Sequence, residues 1–497
     1  MLQRTRRLIP AILLLVVTGC LSARARRSLD SAEGAVGPRL DRAGYAASAY
    51  ETDPDAVPED AEEVERAELL ASAAPPALPA PVDDAALGKS IELATVEAVA
   101  LERHPLLREG ALRVRAMAAE ARSLFAYPDP VFMTEIQAVP FDRPYRVDQA
   151  SMAMVGLRQQ IPAAGSLEAM SEGAAIEAQA EAAMLGGRAR ELLREVDRAF
   201  ADYAEASEVH RAHMAHVTLF ERMAAAARAR YSAGGTLADV TRAELEGLML
   251  EQHIAHAHGD MLTGAARLNN LMARPVSAPL GPARWGEPMT VAASTDELVA
   301  QALARQPELV AAELRARAAE RMADAADAMA TVPEFMVSGA VFLPVSGMMT
   351  GWGASFGMSL PWLWSGASDR AESYRNKALA ERAARDTVRL RLQGDIDALV
   401  AAVRANAGRL ALLRDRALPA ARRAVAAAEA GYATGGSDVL MWLDAVRAEV
   451  DVTVDISMVR AELERALADV DWTVGAHVAR APLSKGTPSH EEMRDVE

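Results

Sequence analysis

Two periodicities alternate along the chain. From Trp352 to Leu360 every second residue is apolar (Trp352, Ala354, Phe356, Met358, Leu360), with Gly353, Ser355, Gly357 and Ser359 between them. An earlier stretch has the same alternation, with Ala153, Val155, Leu157 and Ile161 on one face and Arg158 and Gln160 on the other. A period of two marks strands with unlike faces. Strands are therefore predicted over about 131–139, 152–161, 334–343 and 352–361. Stretches rich in Ala, Leu, Glu and Arg predict helices over about 90–124, 166–230, 237–272, 295–330, 367–431 and 438–476. The first ends before Pro128-Asp129-Pro130, because proline disfavours helix in the residue before it. At ~1.5 Å per residue, a helix over 166–230 would be a rod of about 100 Å. The segment Pro140 to Ala150 between the first two strands reads as a loop.

The order of elements occurs twice. His104-Pro105 recurs as Gln306-Pro307, 202 residues on, and Gly156 to Gly165 is echoed by Gly357 to Gly366 at an offset of 201. Arg230-Tyr231-Ser-Ala-Gly234-Gly235-Thr236 returns as Gly431-Tyr432-Ala-Thr-Gly435-Gly436-Ser437, again 201 residues later. That period is far too long for a solenoid. The chain is a duplicated unit of helix, two strands and two long helices, with repeats over 88–281 and 294–478.

The N-terminus has a different pattern. Arg4, Arg6 and Arg7 precede an apolar run from Leu8 to Val17, too short to span a bilayer and charged as a secretory signal is. It ends in Val17-Thr18-Gly19-Cys20, which resembles a bacterial lipobox. Residues 1–19 are then the signal peptide, and Cys20, the only cysteine of the chain, the lipidated first mature residue. Leu21 follows it where an inner-membrane retention aspartate would stand, which points to the outer membrane. Residues 20–87, rich in Ala, Pro, Asp and Glu, are expected to be a mostly disordered acidic tether. A polar tail is expected over 479–497.

Composition narrows the class. Hydrophobic residues make up 51% of the chain but aromatics only 4%, which suits long helices packed by small side chains. A formal net charge of −16 argues against a nucleic-acid partner. One cysteine excludes a disulfide framework and a Cys₄ metal site. No HExxH, P-loop, Gly-x-Ser-x-Gly or Cys/His nucleophile arrangement is present, so neither enzyme chemistry nor a cofactor is expected. After the first twenty residues no apolar run of ~20 residues remains for a membrane helix. Strands of ten residues with alternating faces still fit a transmembrane barrel, and Trp352, Trp362 and Trp364 sit where interfacial girdles would. Four strands cannot close a barrel and open edges are not tolerated in lipid, so three chains supplying twelve strands is the economical solution.

Taken together, the duplicated unit, the Tyr-x-x-Gly turns and the lipobox resemble the TolC-type outer-membrane efflux proteins over about 88–478. Pro128-Asp129-Pro130, Val139-Pro140 and Gln160-Ile161-Pro162 with Gly165 are most similar to the heavy-metal efflux branch. The resemblance implies a mostly α fold with a membrane β-barrel contribution: a homotrimer with a twelve-stranded barrel and a periplasmic helical tunnel. It also implies a periplasmic adaptor and an inner-membrane pump as partners, with outer-membrane lipid around the barrel. The turns with Tyr231, Gly234 and Gly235, and with Tyr432, Gly435 and Gly436, then match adaptor-docking tips. Asp444 falls where a gating aspartate of the entrance is expected. Met441 stands where another would be, with Asp438 close by, either a second acidic ring or a helix cap.

Six of the nine histidines lie within 49 residues, flanking the first turn. The sums 213+256 and 216+253 are equal, which places His213 level with His256 and His216 with His253 across an antiparallel hairpin. Imidazoles at one height are a candidate for a borderline divalent ion. Solvated histidines on a polar helix face are the alternative. At this level the function is a passive exit duct for small solutes or metal ions. A type I protein-secretion conduit and a non-transporting coiled-coil envelope lipoprotein are the competing readings.

Overall fold

A computed structural model describes residues 23–42, 61–77, 84–137, 139, 141, 144–145, 152–344, 350–364 and 366–483. The signal peptide, Cys20, most of the loop at 140–150 and the tail from 484 lie outside the described residues. The helices longer than one turn, in chain order, are α1 (Ala23–Arg42), α2 (Ala61–Ser72), α3 (Leu93–Arg103), α4 (Pro105–Phe125), α5 (Ser166–Ser232) and α6 (Leu237–Leu271). They continue as α7 (Thr295–Arg305), α8 (Pro307–Thr331), α9 (Gly366–Leu412), α10 (Leu418–Thr434) and α11 (Val439–Val474). The strands are β1 (Val131–Gln137), β2 (Met152–Ile161), β3 (Met289–Val291), β4 (Phe335–Pro344), β5 (Gly351–Met358) and β6 (Arg480–Pro482). No described helix is long and apolar enough to cross a membrane.

Three expectations need correction. Each repeat opens with two helices, not one, because His104 and Gln306 take extended backbone (ψ 125° and 119°) ahead of Pro105 and Pro307. A proline's ring crowds the preceding residue out of the helical region. The helix expected over 367–431 is interrupted by a π segment, Leu413–Ala417, just before Pro419. There the Leu418 N–H reaches back to the Leu413 carbonyl, a wider turn suited to a residue that cannot donate. The third concerns the tether, which holds α1 and α2 and ends in a one-turn helix, Asp84–Leu87. Its apolar residues Ala25, Leu29, Ala32 and Val36 recur at helical spacing and are buried. The polar tail also begins within structure, since β6 pairs with β3.

The chain divides into two compact units. The first contains α1, α2, most of α4, the start of α5, α8, the start of α9, and a four-stranded sheet in the order β1-β2-β4-β5. Every neighbouring pair is antiparallel. Directly opposite residues share a face, so the register defines the two surfaces. One carries Phe132 and Ile136 from β1 and Ala153, Val155, Leu157 and Ile161 from β2. From β4 and β5 it carries Phe335, Val337, Val341, Leu343, Trp352, Phe356 and Met358. That surface is apolar but for Thr134 and Gln159, yet exposed, with Trp352 81% and Phe356 67% accessible. The other carries Glu135, Gln137, Arg158, Gln160, Ser338 and Ser355 among glycines and methionines. Strands β2 and β4, from different repeats, approach closely at Gly156, where a Cβ would sit 2.5 Å from the Gly339 carbonyl oxygen. The helices of this unit form a layer. Ser171 of α5 bonds to α4 through the Ala121 carbonyl at 3.0 Å, Arg315 of α8 faces Glu177 of α5 at 3.5 Å, and Arg385 of α9 meets Glu313 of α8 at 3.0 Å.

The second unit contains α3, the remainder of α5 and α9, α6, α7, α10, α11 and the β3–β6 pair. One of its cores joins Leu298 of α7, Ile396, Val400 and Val403 of α9, and Val459, Leu463, Leu467 and Val470 of α11. Trp285 closes the side of this unit, edge-on to Phe200 with centroids 6.1 Å apart and with the Arg460 guanidinium 5.3 Å over its ring.

Candidate functional site

The two glycine turns lie in the second unit, each reversing the chain between long helices. After α5, Gly234 adopts φ +101°, and the Gly235 N–H returns to the Arg230 carbonyl at 2.9 Å. After α10, Gly435 adopts φ +79°, and the Gly436 N–H reaches the Gly431 carbonyl at 2.8 Å. Only glycine takes such angles without strain, and the return bonds satisfy carbonyls the ending helix leaves open. The next helix starts at once in both. Thr236 accepts from the Asp239 N–H at 3.3 Å and Asp438 from the Met441 N–H at 2.8 Å, so Asp438 is the N-cap of α11.

The turns are not equivalent. Tyr231 is half exposed, whereas Tyr432 is buried with its ring 5.5 Å from that of Trp442. Arg230 ties one turn to the other: its guanidinium lies 5.0 Å over the Tyr432 ring and donates to the Ser437 carbonyl at 3.2 Å. Beneath them Phe220, Met223, Val240, Leu250, Val425, Leu443 and Val446 form one core. Arg222 bridges to Glu429 at 3.2 Å, and Arg447 pairs with the largely buried Glu246. A cavity of about 650 Å³ lies between the hairpins, lined by Arg222, Arg230, Glu429, Tyr432 and Trp442 among others. Asp444 is exposed, with its carboxylate 4.0 Å from Arg447. Arg230 and Trp442 were not among the residues singled out from the sequence. The repeat alignment holds a signal for the first: Arg230 corresponds to Gly431, so the repeats differ where the arginine crosses over.

The histidines meet in a different register from the expected one. His213 stacks on His253 with centroids 5.4 Å apart, and His210 faces His258 at 5.7 Å. His213 is therefore not level with His256, nor His216 with His253. The Nδ1 of His216 instead bonds to the Ala212 carbonyl at 2.7 Å, and His256 lies 3.7 Å from Asp260. Equal sums assume two straight helices in fixed step, and here the facing rings are one to three positions out of that step. Among the described residues no three His, Cys, Asp or Glu side chains gather as a metal would require. Burial, followed by the neighbouring imidazole of His253, holds His213 below the usual histidine range.

A second titratable group joins α3, α5 and the end of α11. Burial, reinforced by the Glu97 carboxylate, pushes Asp197 up to about 9. Asp471 beside it accepts from Arg480 at 2.6 Å and from the Val478 N–H at 2.9 Å, and its contact with His477 raises that imidazole.

The duplicated order of helices, strands and glycine turns corresponds to a known family. The model of the outer membrane efflux proteins matches residues 98–274 and 298–476, and the chain belongs to that family. Among solved structures, the CusC channel superposes with a TM-score of 0.68 at 15% identity, covering 81% of this chain and 98% of that one. The outer-membrane channel OprN gives 0.65 at 18% identity, covering 81% and 97%. The MtrE outer membrane channel of Neisseria gonorrhoeae, solved in an open state, gives 0.62 at 19%, covering 80% and 91%. A comparison with curated proteins gives no sequence match.

Proposed function

We propose that the chain is the outer-membrane exit duct of a tripartite efflux system, passively conducting small solutes or metal ions outward. One observation carries this: a sheet with one predominantly apolar, exposed face spanning all four strands, and with β1 and β5 at its two edges. Strand directions alternate from β1 to β5, so β5 of one copy can pair antiparallel with β1 of the next. Three copies would close twelve strands with the apolar face to lipid and Arg158, Gln160, Ser338 and Ser355 to the lumen. The helices then form a periplasmic tunnel. At its end the glycine turns, with bare backbone and the cavity beside Arg230 and Tyr432, dock a periplasmic adaptor that an inner-membrane pump serves. Asp444 lines the entrance, three carboxylates to a trimer, and Cys20 carries the lipid anchor.

Recordings on the purified full chain in planar bilayers test the duct and the entrance together. Wild-type protein should run as a trimer and conduct with cation preference, and Asp444→Asn should lower that preference without dissociating the trimer. A monomer with no conductance would refute the barrel. Unchanged selectivity in Asp444→Asn would move the entrance elsewhere on the hairpin of α10 and α11.

A further inference from the structure

Helices α1 and α2 lie before the stretch that the family model matches. The family match begins at residue 98, and CusC is 98% covered while using 81% of this chain. Both helices nevertheless pack within the first unit. The apolar stripe Ala25, Leu29, Ala32 and Val36 is no more than 1% exposed, and Leu70 of α2 and Ala73 just beyond it are buried too. Arg27 of α1 holds Glu63 of α2 by two bonds, at 2.9 and 3.0 Å.

From this pair, polar contacts run to three tunnel helices in turn. Glu33 meets Arg122 of α4 at 3.0 Å. Ser31 accepts from Gln179 of α5 at 2.6 Å. Glu65 meets Arg317 of α8 at 2.6 Å. A quartet of alternating charge ties α2 to both α5 and α8: Arg66 lies 2.9 Å from Glu62 and 4.0 Å from Glu172, and Arg321 lies 3.2 and 3.5 Å from the same two carboxylates. Arg66 and Glu172 are almost wholly buried. Such charges hold only while all partners stay in place, since removing one strands another away from water.

The duplication supplies an internal control. In α5, Ser171, Glu172, Ala175, Ile176, Ala178, Gln179 and Ala180 are all buried. At the matching positions of α9, 201 residues on, Glu372, Ser373, Asn376, Lys377, Leu379 and Ala380 are exposed and Glu381 is half-buried. Repeat one is covered where repeat two is bare.

We propose that α1 and α2 are a strap that fixes the spacing of α4, α5 and α8, locking the first repeat to the second within this unit. Helix movement during conduction is then left to segments the strap does not cross. Because Arg122 comes from repeat one and Arg317 and Arg321 from repeat two, spreading the repeats breaks ion pairs on both sides of the strap.

Hydrogen exchange on the full-length trimer in detergent tests this, comparing wild type, Glu33→Arg and the charge swap Glu33→Arg with Arg122→Glu. Peptides covering 171–180 and 309–326 should exchange about tenfold or more faster in Glu33→Arg, and near wild-type rates in the swap. Tip peptides over 425–446 should not change. Unchanged exchange at 171–180 and 309–326 in Glu33→Arg would overturn the proposal, as would a rise that the swap leaves unreversed. Should Glu33→Arg fail to assemble, the swap decides alone: wild-type protection supports the strap, and lost protection overturns it.

Discussion

At the scale of single residues, Asp197 has the clearest energetic signature. Its folded-state value of about 9 lies far above the ordinary 3.8, so the folded chain retains a proton that the unfolded chain releases across that interval. The sign follows from linkage: this group's contribution to stability is complete at low pH and is lost as pH rises towards 9. Asp197→Asn stays neutral throughout, and should reduce the stability lost between pH 5 and 8 by about 1–3 kcal/mol. Thermal unfolding of both proteins in detergent across that range checks it, and parallel pH profiles would contradict the assignment. None of this was legible in the sequence, where Asp197 is one acidic residue on a long helix. Its environment comes from Glu97 and Asp471, 100 and 274 positions away, and no local pattern encodes such a meeting. The histidines teach the same lesson from the other side. Their clustering was visible, but a change in register of a few residues decided which rings met.

Among the elements, the tips show what a repeated motif can and cannot say. Both Gly-Gly turns were visible as the end of one helix and the start of the next, because the need for φ > 0 writes glycine into the sequence. Which glycine bears the strain was not visible, since the two are adjacent. It is the first of each pair, Gly234 and Gly435. Gly435→Val should therefore destabilise the second tip by roughly 1–2 kcal/mol. Gly436→Val should fold normally, because a Cβ there meets nothing nearer than 3.7 Å. If adaptor docking uses this bare backbone, Gly436→Val should lower adaptor affinity while circular dichroism and trimer yield hold. Normal affinity in that variant would rule out the position as a contact. The strands were legible for a similar reason: one face is largely apolar and the other carries polar groups, so alternation is written into the sequence. The helix breaks at His104, Gln306 and Pro419 carry equally plain signals, whereas α1 and α2 were hidden by the proline- and acid-rich composition around them.

For the molecule as a whole, the question is how it is held in its membrane. Acylation at Cys20 would place the anchor three residues before α1. Metabolic labelling with a fatty-acid analogue should mark wild-type protein and leave Cys20→Ser unmarked, and an unlabelled wild type would defeat the lipobox reading. The trimer proposed above, made from a four-stranded sheet, would have a further consequence, which falls before the channel exists. On that reading a newly exported chain cannot hide the face bearing Trp352 and Phe356, nor cap the edges β1 and β5, until two siblings arrive. Each lone copy is a template onto which any stray strand can add. Its transit across the periplasm therefore calls for an escort that shields strands without folding them. The first closing contact, β5 on a neighbour's β1, becomes the step at which a hazardous polymer seed is converted into a finite ring.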